Sequence, residues 1–142
     1  MIRPVAPADR PRLRAIQLAT LDQPWPDLLD VLTTDAAIAL VSTDADDEPV
    51  GYAVALPDAE TREAYLAELA VAPAYRREGR ATRQLERLCE RLRAAGQRSL
   101  RLTVMVDDER ARAFYDALGF SARALRPEHY DSGDALVLAR DF

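Results

Sequence analysis

The sequence predicts an α+β fold, with one mixed and mostly antiparallel sheet covered by helices on both faces. The first observation is the succession of apolar patterns with periods of two and 3.6 residues, in the order β-α-α-β-β-β-α-β-α-β-β. The second is the length of 142 residues, which suits a single domain spanning residues 1–142. The third is the 49% share of apolar residues, which makes one packed interior feasible.

In the first half of the chain, residues 2–5 form a short strand and a helix begins near Asp9, with apolar side chains at i, i+3, i+4 and i+7. Two closely spaced prolines break this helix, and a second short helix is predicted over residues 26–32. Residues 37–43 and 49–56 are apolar and are separated by an acidic turn, which predicts a β-hairpin.

The central strand is predicted over residues 62–72, with Leu66, Glu68 and Ala70 alternating onto one face. A helix over residues 79–95 follows, because leucines recur there at the spacing of one buried stripe. The remaining elements are a strand at 99–106, a helix capped by Asp107 or Asp108 and ending at Gly119, a strand at 120–125, a loop at 126–133 and a last strand at 135–139.

Composition excludes several classes of function. The net charge of −5 argues against a nucleic-acid surface and is compatible with a cationic substrate. One cysteine and one histidine exclude a disulfide framework and leave almost no ligands for zinc, so no metal is expected. All 19 basic residues are arginine, which excludes a Schiff-base lysine. No membrane span or secretory signal is visible, which predicts a cytoplasmic protein. Both a monomer and a homodimer are compatible with the sequence.

The segment Arg76-Arg77-Glu78-Gly79-Arg80-Ala81 lies between the central strand and the following helix. The first N–H groups of a helix have no partner inside it, and the helix dipole adds partial positive charge there, so this segment is a candidate phosphate site. A glycine allows close backbone approach or a positive φ, and arginines add forked donors. The spacing of the glycines matches neither the mononucleotide P-loop nor the dinucleotide fingerprint.

This Arg-x-x-Gly-x-Ala pattern resembles the pyrophosphate loop of the GNAT acetyltransferases, which holds acetyl-coenzyme A. The resemblance implies a cofactor site made by the end of the central strand and the start of the helix, at Leu69, Ala70, Val71, Arg76, Arg77, Glu78, Gly79, Arg80, Ala81 and Thr82. In that family the strand splays from its neighbour, and its N–H groups meet the acetyl carbonyl. The Val71 N–H is then the best oxyanion donor.

A second segment, Asp108-x-x-Ala111-x-x-Phe114-Tyr115-x-x-Leu118-Gly119-Phe120, is similar to the GNAT pattern Asn-x-x-Ala-x-x-Leu-Tyr-x-x-x-Gly-Phe. The resemblance places the Tyr115 hydroxyl by the sulfur of the cofactor, where it can protonate the leaving thiolate. Asp108 stands where the family has asparagine and is assigned to the cofactor site. An ionised carboxylate cannot donate a hydrogen bond, so that contact differs from the family's.

The tail from Arg126 to Arg140 resembles the end of RimI-type and archaeal protein N-terminal acetyltransferases. In those enzymes a tyrosine pair shapes the slot for the substrate's N-terminal residues, and His129 and Tyr130 occupy that pair here. The same resemblance places Trp25 on the wall of the acceptor pocket. Trp25, His129 and Tyr130 are therefore predicted to bind the acceptor, with a structural role for Trp25 under the proline loop as the alternative.

The general base is open at the level of sequence. RimI-type enzymes use a glutamate where this chain has Thr103, which cannot serve as a base. Glu68 is the predicted substitute, because burial on an apolar face would raise its pKa to a useful value. The alternatives are a structural Glu68 paired with an arginine, a water relay with no single base, and His129.

The leading hypothesis is an acetyl-CoA-dependent N-acetyltransferase acting on a protein or peptide α-amine. The second keeps the reaction and changes the acceptor to a small amine such as a polyamine, an amino acid or an aminoglycoside. The third is an acyl-CoA-binding module without turnover.

Overall fold

The computed structural model describes residues 1–21, 24–130 and 133–142, without the side chains of residues 128–130. The strands and helices are β1 Ile2–Pro4, α1 Arg10–Thr20, β2 Ile38–Thr43, β3 Pro49–Leu56, β4 Glu63–Val71, α2 Arg80–Ala94, β5 Ser99–Met105, α3 Glu109–Ala117, β6 Ser121–Tyr130 and β7 Gly133–Asp141. Short 3₁₀ helices lie at Pro7–Asp9, Pro26–Asp30 and Pro73–Tyr75. The predicted second helix is therefore a 3₁₀ helix, which fits the short, proline-initiated segment that forms it.

The strands form one sheet in the order β1-β2-β3-β4-β5-β7-β6. The pairing of β4 with β5 is parallel, and the other neighbouring pairs are antiparallel. A parallel pair needs a crossover connection, and α2 supplies it. The predicted mixed, mostly antiparallel α+β fold is confirmed.

Helices cover both faces of the sheet, as predicted. On one face, α1 and the 3₁₀ helix Pro26–Asp30 pack against β2, β3 and β4 through Leu13, Ile16 and Leu28. On the other face, α2 and α3 pack against the centre of the sheet. The leucine stripe of α2 is fully buried at Leu85, Leu88 and Leu92, and each such side chain contributes about 1.5–3 kcal/mol of burial free energy.

A β-bulge in β4 overturns the predicted alternation of its side chains. Leu66 pairs with Ala55 and Glu68 pairs with Val54, so β4 has one extra residue at this point. Leu66 consequently packs under α2, whereas Ala70 packs on the α1 face. A uniform period of two cannot reveal an inserted residue, and for this reason the shared face predicted for Leu66, Glu68 and Ala70 is wrong.

The C-terminal region contains more strand than the sequence predicted. Residues 126–130 continue β6, and β7 extends over Gly133–Asp141, so the predicted loop at 126–133 is wrong for these residues. β6 is an edge strand, and its side chains from Ser121 to Pro127 are exposed. A stretch of strand whose side chains are all exposed carries little hydrophobic alternation, and such alternation is the signal from which a strand is predicted.

A buried glutamine joins α2 to the sheet. The Gln84 side-chain amide donates to the carbonyl oxygens of Tyr52, at 3.0 Å, and Ala70, at 3.3 Å, and its Oε1 accepts from the Ser42 hydroxyl at 2.5 Å. A Cβ on Gly51 would lie 2.2 Å from Gln84 Oε1, so only glycine leaves room for this contact. Three central strands thus fix the first half of α2 and, with it, the loop that precedes the helix.

The N-terminal segment is fixed by an ion pair that responds to pH. Arg3 Nη1 lies 2.7 Å from Asp9 Oδ2, and the same oxygen accepts from the Ala6 N–H at 2.8 Å. These contacts, led by the hydrogen bond from Arg3, hold the pKa of Asp9 below its ordinary value of 3.8. Because the pKa of Asp9 is lower in the folded state than in the unfolded state, the ion pair stabilises the protein fully above the unfolded-state pKa. This contribution is lost as the pH falls through the folded-state pKa.

Asp9→Asn is therefore expected to lower the free energy of unfolding by about 1–2 kcal/mol at neutral pH. The difference between the variant and the parent should shrink below about pH 4. Urea denaturation at several pH values measures it, with the exposed Asp116→Asn as the control. An Asp9→Asn deficit that stays constant down to about pH 2 would contradict the assignment.

Candidate active site

A gap opens in the middle of the sheet between β4 and β5. The two strands pair only where Glu63–Tyr65 face Ser99–Arg101, and the register ends there. The bulge lies in the next part of β4. The gap forms a cavity of about 420 Å³, lined on the α1 face by residues such as Trp25 and Glu68 and on the α3 face by residues such as Ala111 and Tyr115. The cavity therefore passes through the sheet.

The backbone of β4 turns two N–H groups toward this gap. The Ala72 N–H donates to the Val50 carbonyl of β3 at 2.8 Å. Because successive N–H groups of a strand point to opposite sides, those of Leu69 and Val71 point away from β3. The Val71 carbonyl points the same way and accepts from Arg76 Nε at 3.2 Å. The strand segment predicted to hold an acyl carbonyl therefore faces the cavity.

The loop between β4 and α2 has the conformation of an anion site. Arg77 and Gly79 both have left-handed backbones, with φ of +65° and +76°. The first hydrogen bond of α2 runs from the Arg83 N–H to the Gly79 carbonyl at 3.0 Å, so the amides of residues 80–82 have no acceptor inside the helix. They line a cavity of about 650 Å³ that adjoins the first one. The positive φ predicted as an option for Gly79 is confirmed.

The arginines of this loop also hold the loop itself together. Arg80 donates to Glu78 Oε1 at 3.0 Å and to the Thr43 carbonyl at 3.3 Å, and its guanidinium lies 5.3 Å from the centre of the Tyr75 ring. Arg76 caps the Val71 carbonyl, as described above. These two arginines therefore place positive charge beside the 650 Å³ cavity from fixed positions. Glu78 neutralises part of that charge.

The start of α3 closes the opposite wall. Asp108 is the N-cap of α3, and its Oδ1 accepts from the Ala111 N–H at 3.1 Å, which confirms the predicted cap. The Tyr115 ring packs edge-to-face against Phe114 and Phe120, with centroids 5.0 and 5.5 Å away. Burial, with a smaller effect from the Asp108 charge, raises the pKa of Tyr115. Tyr115 therefore keeps its proton throughout the neutral range.

The two cavities share a set of lining residues, which makes them one continuous cleft. These residues come from the end of α1, from β4 and from α3: Leu21, Leu69, Asp108, Ala111 and Tyr115. The sequence motifs predict three of them, Leu69, Asp108 and Tyr115, but neither Leu21 nor, as a lining residue, Ala111. They do not predict Arg110 either, which lines the cleft from the first turn of α3. An arginine beside a predicted helix cap was the available signal for Arg110.

Glu68 is buried, with 6% of its surface exposed, and its carboxylate accepts four hydrogen bonds. Gln17 Nε2 lies 2.9 Å from Oε1 and 3.2 Å from Oε2. The Tyr52 hydroxyl lies 2.8 Å from Oε1, and the Trp25 N–H lies 2.8 Å from Oε2. These partners are neutral donors, so the arginine partner that the structural alternative required does not appear among them. Burial and the Glu68 charge together raise the pKa of Tyr52.

Glu68→Gln is expected to destabilise the fold by about 2–3 kcal/mol, because an amide N–H₂ would face a donor where the carboxylate accepts. Thermal and urea unfolding measure this loss, with the exposed Glu60→Gln as the matched control. Equal stability of the two variants would show that the four hydrogen bonds are not formed together in solution.

Of the three residues predicted to bind the acceptor, the structure describes the side chain of Trp25. Trp25 lines the cavity and is 44% exposed. The side chains of His129 and Tyr130 lie outside the described residues. Thr103 lines the gap on β5, with its Oγ1 3.3 Å from the Tyr65 hydroxyl. The candidate general base, Glu68, therefore lies in a cavity wall that also contains Tyr65 and Thr103.

Other reactive groups contribute little to this site. Burial raises the pKa of the Cys89 thiol to about 11, as expected of a core residue beside the leucines of α2. Among residues 1–21, 24–130 and 133–142, no three His, Cys, Asp or Glu side chains cluster as metal ligands would. Within the part of the chain that the structure describes, no helix has the length and apolar character that crossing a bilayer requires.

Comparison with known proteins identifies the family and relatives of this chain. The family model described as "Acetyltransferase (GNAT) family" matches residues 9–120. An uncharacterized protein of Mycobacterium leprae (strain TN) is 32% identical over 148 residues, covering 99% of this chain and 40% of that protein. The ribosomal protein bS18-alanine N-acetyltransferase of Escherichia coli (strain K12) is 35% identical over 81 residues, covering 54% of this chain and 55% of that protein. The chain therefore spans about half the length, or less, of these curated relatives.

Solved structures extend the likeness over the whole chain. The crystal structure of the ribosomal-protein-S18-alanine N-acetyltransferase from Escherichia coli superposes with a TM-score of 0.88 at 25% identity, covering 99% of this chain and 92% of that chain. Ard1 from Thermoplasma volcanium gives a TM-score of 0.85 at 26% identity, with 99% and 96% coverage. Both superpose over 99% of this chain and therefore share its fold.

Proposed function

The chain belongs to the GNAT acetyltransferase family, whose co-substrate is acetyl-CoA, and we propose that it acetylates the α-amine of a protein or peptide N-terminus. The observation that carries this proposal is the cleft through the sheet. One end lies against the bare amides at the start of α2, and the other end lies against the buried carboxylate of Glu68. A pyrophosphate suits the first end, and an amine suits the second.

The cofactor end has the donors that acetyl-CoA needs. The amides of residues 79–82 and the helix dipole of α2 bind the pyrophosphate, and Arg77 and Arg110 add positive charge at the rim. The Leu69 and Val71 N–H groups then donate to the thioester oxygen, more strongly as negative charge develops on it. Because the Gln84 contacts fix α2 against β3 and β4, these two sets of donors keep a constant separation.

Transfer is direct. The neutral amine nitrogen attacks the thioester carbonyl carbon, and the carbon–sulfur bond breaks. Tyr115 donates its proton to the departing thiolate, since its raised pKa keeps it protonated. Glu68 supplies negative charge to attract the incoming ammonium and accepts its proton, directly or through a water molecule. The ammonium nitrogen loses two protons on its way to the amide. Glu68 takes the first before attack and releases it to solvent. The second leaves the nitrogen after attack and replaces the proton that Tyr115 gave to the thiolate, so both side chains are restored after one turnover.

The acceptor class rests on the relatives. The Escherichia coli relative is, by its name, an N-acetyltransferase for the alanine of ribosomal protein bS18, and Ard1 shares the fold at similar identity. The cavity on the α1 face is open and has the exposed Trp25 at its mouth, which supports an acceptor that continues beyond its reacting residue. A small amine would lie inside the cavity and would make no contact with the exposed Trp25 at its mouth.

The test is release of free thiol from acetyl-CoA with four matched acceptors, followed by mass spectrometry of the products. The acceptors are a peptide starting with alanine, the same peptide with a blocked N-terminus, a blocked peptide containing lysine, and spermidine. We expect acetylation of the unblocked peptide alone, at its α-amine. The enzyme itself contains no lysine, which keeps its own modification from obscuring the products.

Preferred turnover of spermidine would move the acceptor to the small-amine class while keeping the reaction. Acetyl-CoA binding without transfer to any of the four acceptors would overturn the enzymatic proposal and support a non-catalytic binding module. Arg93→Gln, an exposed change on α2 away from the cleft, serves as the control for general damage to the protein.

A further inference from the structure

The acceptor side of the sheet continues into a second, smaller cavity that the proposed reaction does not use. This cavity has a volume of about 240 Å³ and is lined by Tyr65, Arg101, Thr103, Arg126 and Val137. Tyr65 and Thr103 also line the acceptor cavity, so the two spaces adjoin. An acceptor that leaves the cleft along β5 therefore passes over the smaller cavity.

The strand register places both arginines on the same face as the acceptor mouth. Tyr65 pairs with Arg101, and Thr103 pairs with Val137 of β7. Arg126 pairs with Ala135, which pairs in turn with Met105. Alternate residues of a strand share a face, so the Arg126 side chain emerges on the face of Thr103 and Met105. The leucines of β5 and α3 lie on the opposite face.

The described charged side chains that line this cavity are opposite in sign to the protein as a whole. Among the side chains that the structure describes, the charged ones lining the cavity are two arginines, although the chain carries a net charge of −5. The Arg101 guanidinium lies 4.8 Å from the centre of the Tyr65 ring, which holds it over the sheet. Its Nε also lies 3.4 Å from Glu63 Oε1. A guanidinium has five N–H donors in a planar fork, so this one ion pair does not use up its capacity.

Resting on the proposed function, we propose that Arg101 and Arg126 form a carboxylate subsite that selects acceptor peptides with an aspartate or glutamate close to the reacting N-terminus. Two guanidinium groups around one small cavity match a carboxylate through charge-assisted hydrogen bonds. The chain from Glu68 back to Tyr65 spans three residue steps, or roughly 10 Å of extended strand. An extended peptide covers that distance in about three residues, so the selected side chain is expected at about position 2, 3 or 4.

The experiment compares C-terminally amidated peptides that start with alanine and differ only by aspartate or asparagine at position 2, 3 or 4. Amidation removes the C-terminal carboxylate, so the peptides differ only in the carboxylate of the side chain under test. For the unmodified enzyme, we expect kcat/KM to be about five- to tenfold higher for aspartate at one of these positions. The gain should lie in the KM for peptide, with the KM for acetyl-CoA unchanged, and should shrink at high ionic strength.

Arg101→Gln and Arg126→Gln are each expected to reduce this preference, and the double variant to abolish it while asparagine peptides are still acetylated. Arg126→Glu should abolish it, because the new carboxylate pairs with Arg101 and repels the carboxylate of the acceptor. Arg93→Gln is the control and should keep the parent preference.

Failure of the subsite is distinguishable from failure of the proposed function. If asparagine and aspartate peptides are acetylated equally by the unmodified enzyme, the subsite is wrong and the N-acetyltransferase stands. If the preference persists in the double variant, another part of the molecule reads the carboxylate and the assignment to these arginines is wrong. If no peptide is acetylated, the proposed peptide acceptor is wrong, and the carboxylate subsite that rests on it is wrong as well.

Discussion

Tyr115→Phe is expected to lower kcat for acetyl transfer about a hundredfold, because a positioned general acid contributes roughly 10²- to 10⁴-fold. The ring keeps its packing against Phe114 and Phe120, so the fold should be retained. Only the hydroxyl, and with it the proton for the leaving thiolate, is removed. Steady-state thiol release across neutral pH measures the effect, and the denaturation midpoint reports the integrity of the fold.

The distribution of the loss between kcat and KM separates this role from a binding role. We expect the Kd for acetyl-CoA, measured by calorimetry, to stay within about twofold, since Tyr115 acts in the transition state and contributes little to binding the ground state. A loss confined to the KM for acetyl-CoA would assign Tyr115 to cofactor binding. An unchanged kcat would remove it from the mechanism.

Gly51→Ala is expected to lower the free energy of unfolding by about 3 kcal/mol, through overpacking and the loss of buried hydrogen bonds. The added Cβ would lie 2.2 Å from Gln84 Oε1 and 2.9 Å from the Ala70 carbonyl oxygen. The side chain of Gln84 must then leave its position between β3 and β4. Urea denaturation measures the loss, and activity should fall with it, because Gln84 sets the position of α2 and of the phosphate-binding loop.

A double-mutant cycle identifies the cause of that loss. Gln84→Ala removes the clashing atom, so Gly51→Ala should cost less in that background than in the parent, and the two changes should not add. Full additivity would show that the alanine at 51 acts through the backbone rather than through Gln84. A small cost of Gly51→Ala alone, under about 0.5 kcal/mol, would contradict the packing described here.

The fold was predictable from the sequence wherever one side of an element is buried. The leucine stripe of α2, the Asp108 cap and the positive φ of Gly79 all follow from local rules of periodicity and capping. The same rules fail at β6, since its side chains from Ser121 to Pro127 are exposed. They also fail at the bulge in β4, because one inserted residue leaves no mark in composition.

The candidate site was predictable in part. The loop at residues 76–82 and Tyr115 are recognisable as motifs, and the structure brings them to one cleft. The partners of Glu68 were not predictable, because Gln17, Tyr52 and Trp25 come from three separate elements that meet only in the folded chain. Arg101 and Arg126 lie 25 residues apart in the sequence and reach one cavity only through the order β5-β7-β6. Such contacts depend on topology, which no local pattern specifies.

Backbone amide hydrogen exchange with and without acetyl-CoA shows directly whether acetyl-CoA binds in the cleft between β4 and β5. We expect exchange to become slower on binding at Leu69, Val71 and residues 79–82. The amides of Ser121 and Ala122, at the cavity of about 410 Å³ on the outer side of α3, should exchange at an unchanged rate. Protection of Ser121 and Ala122 without any change at Val71 and Gly79 would show that acetyl-CoA binds elsewhere.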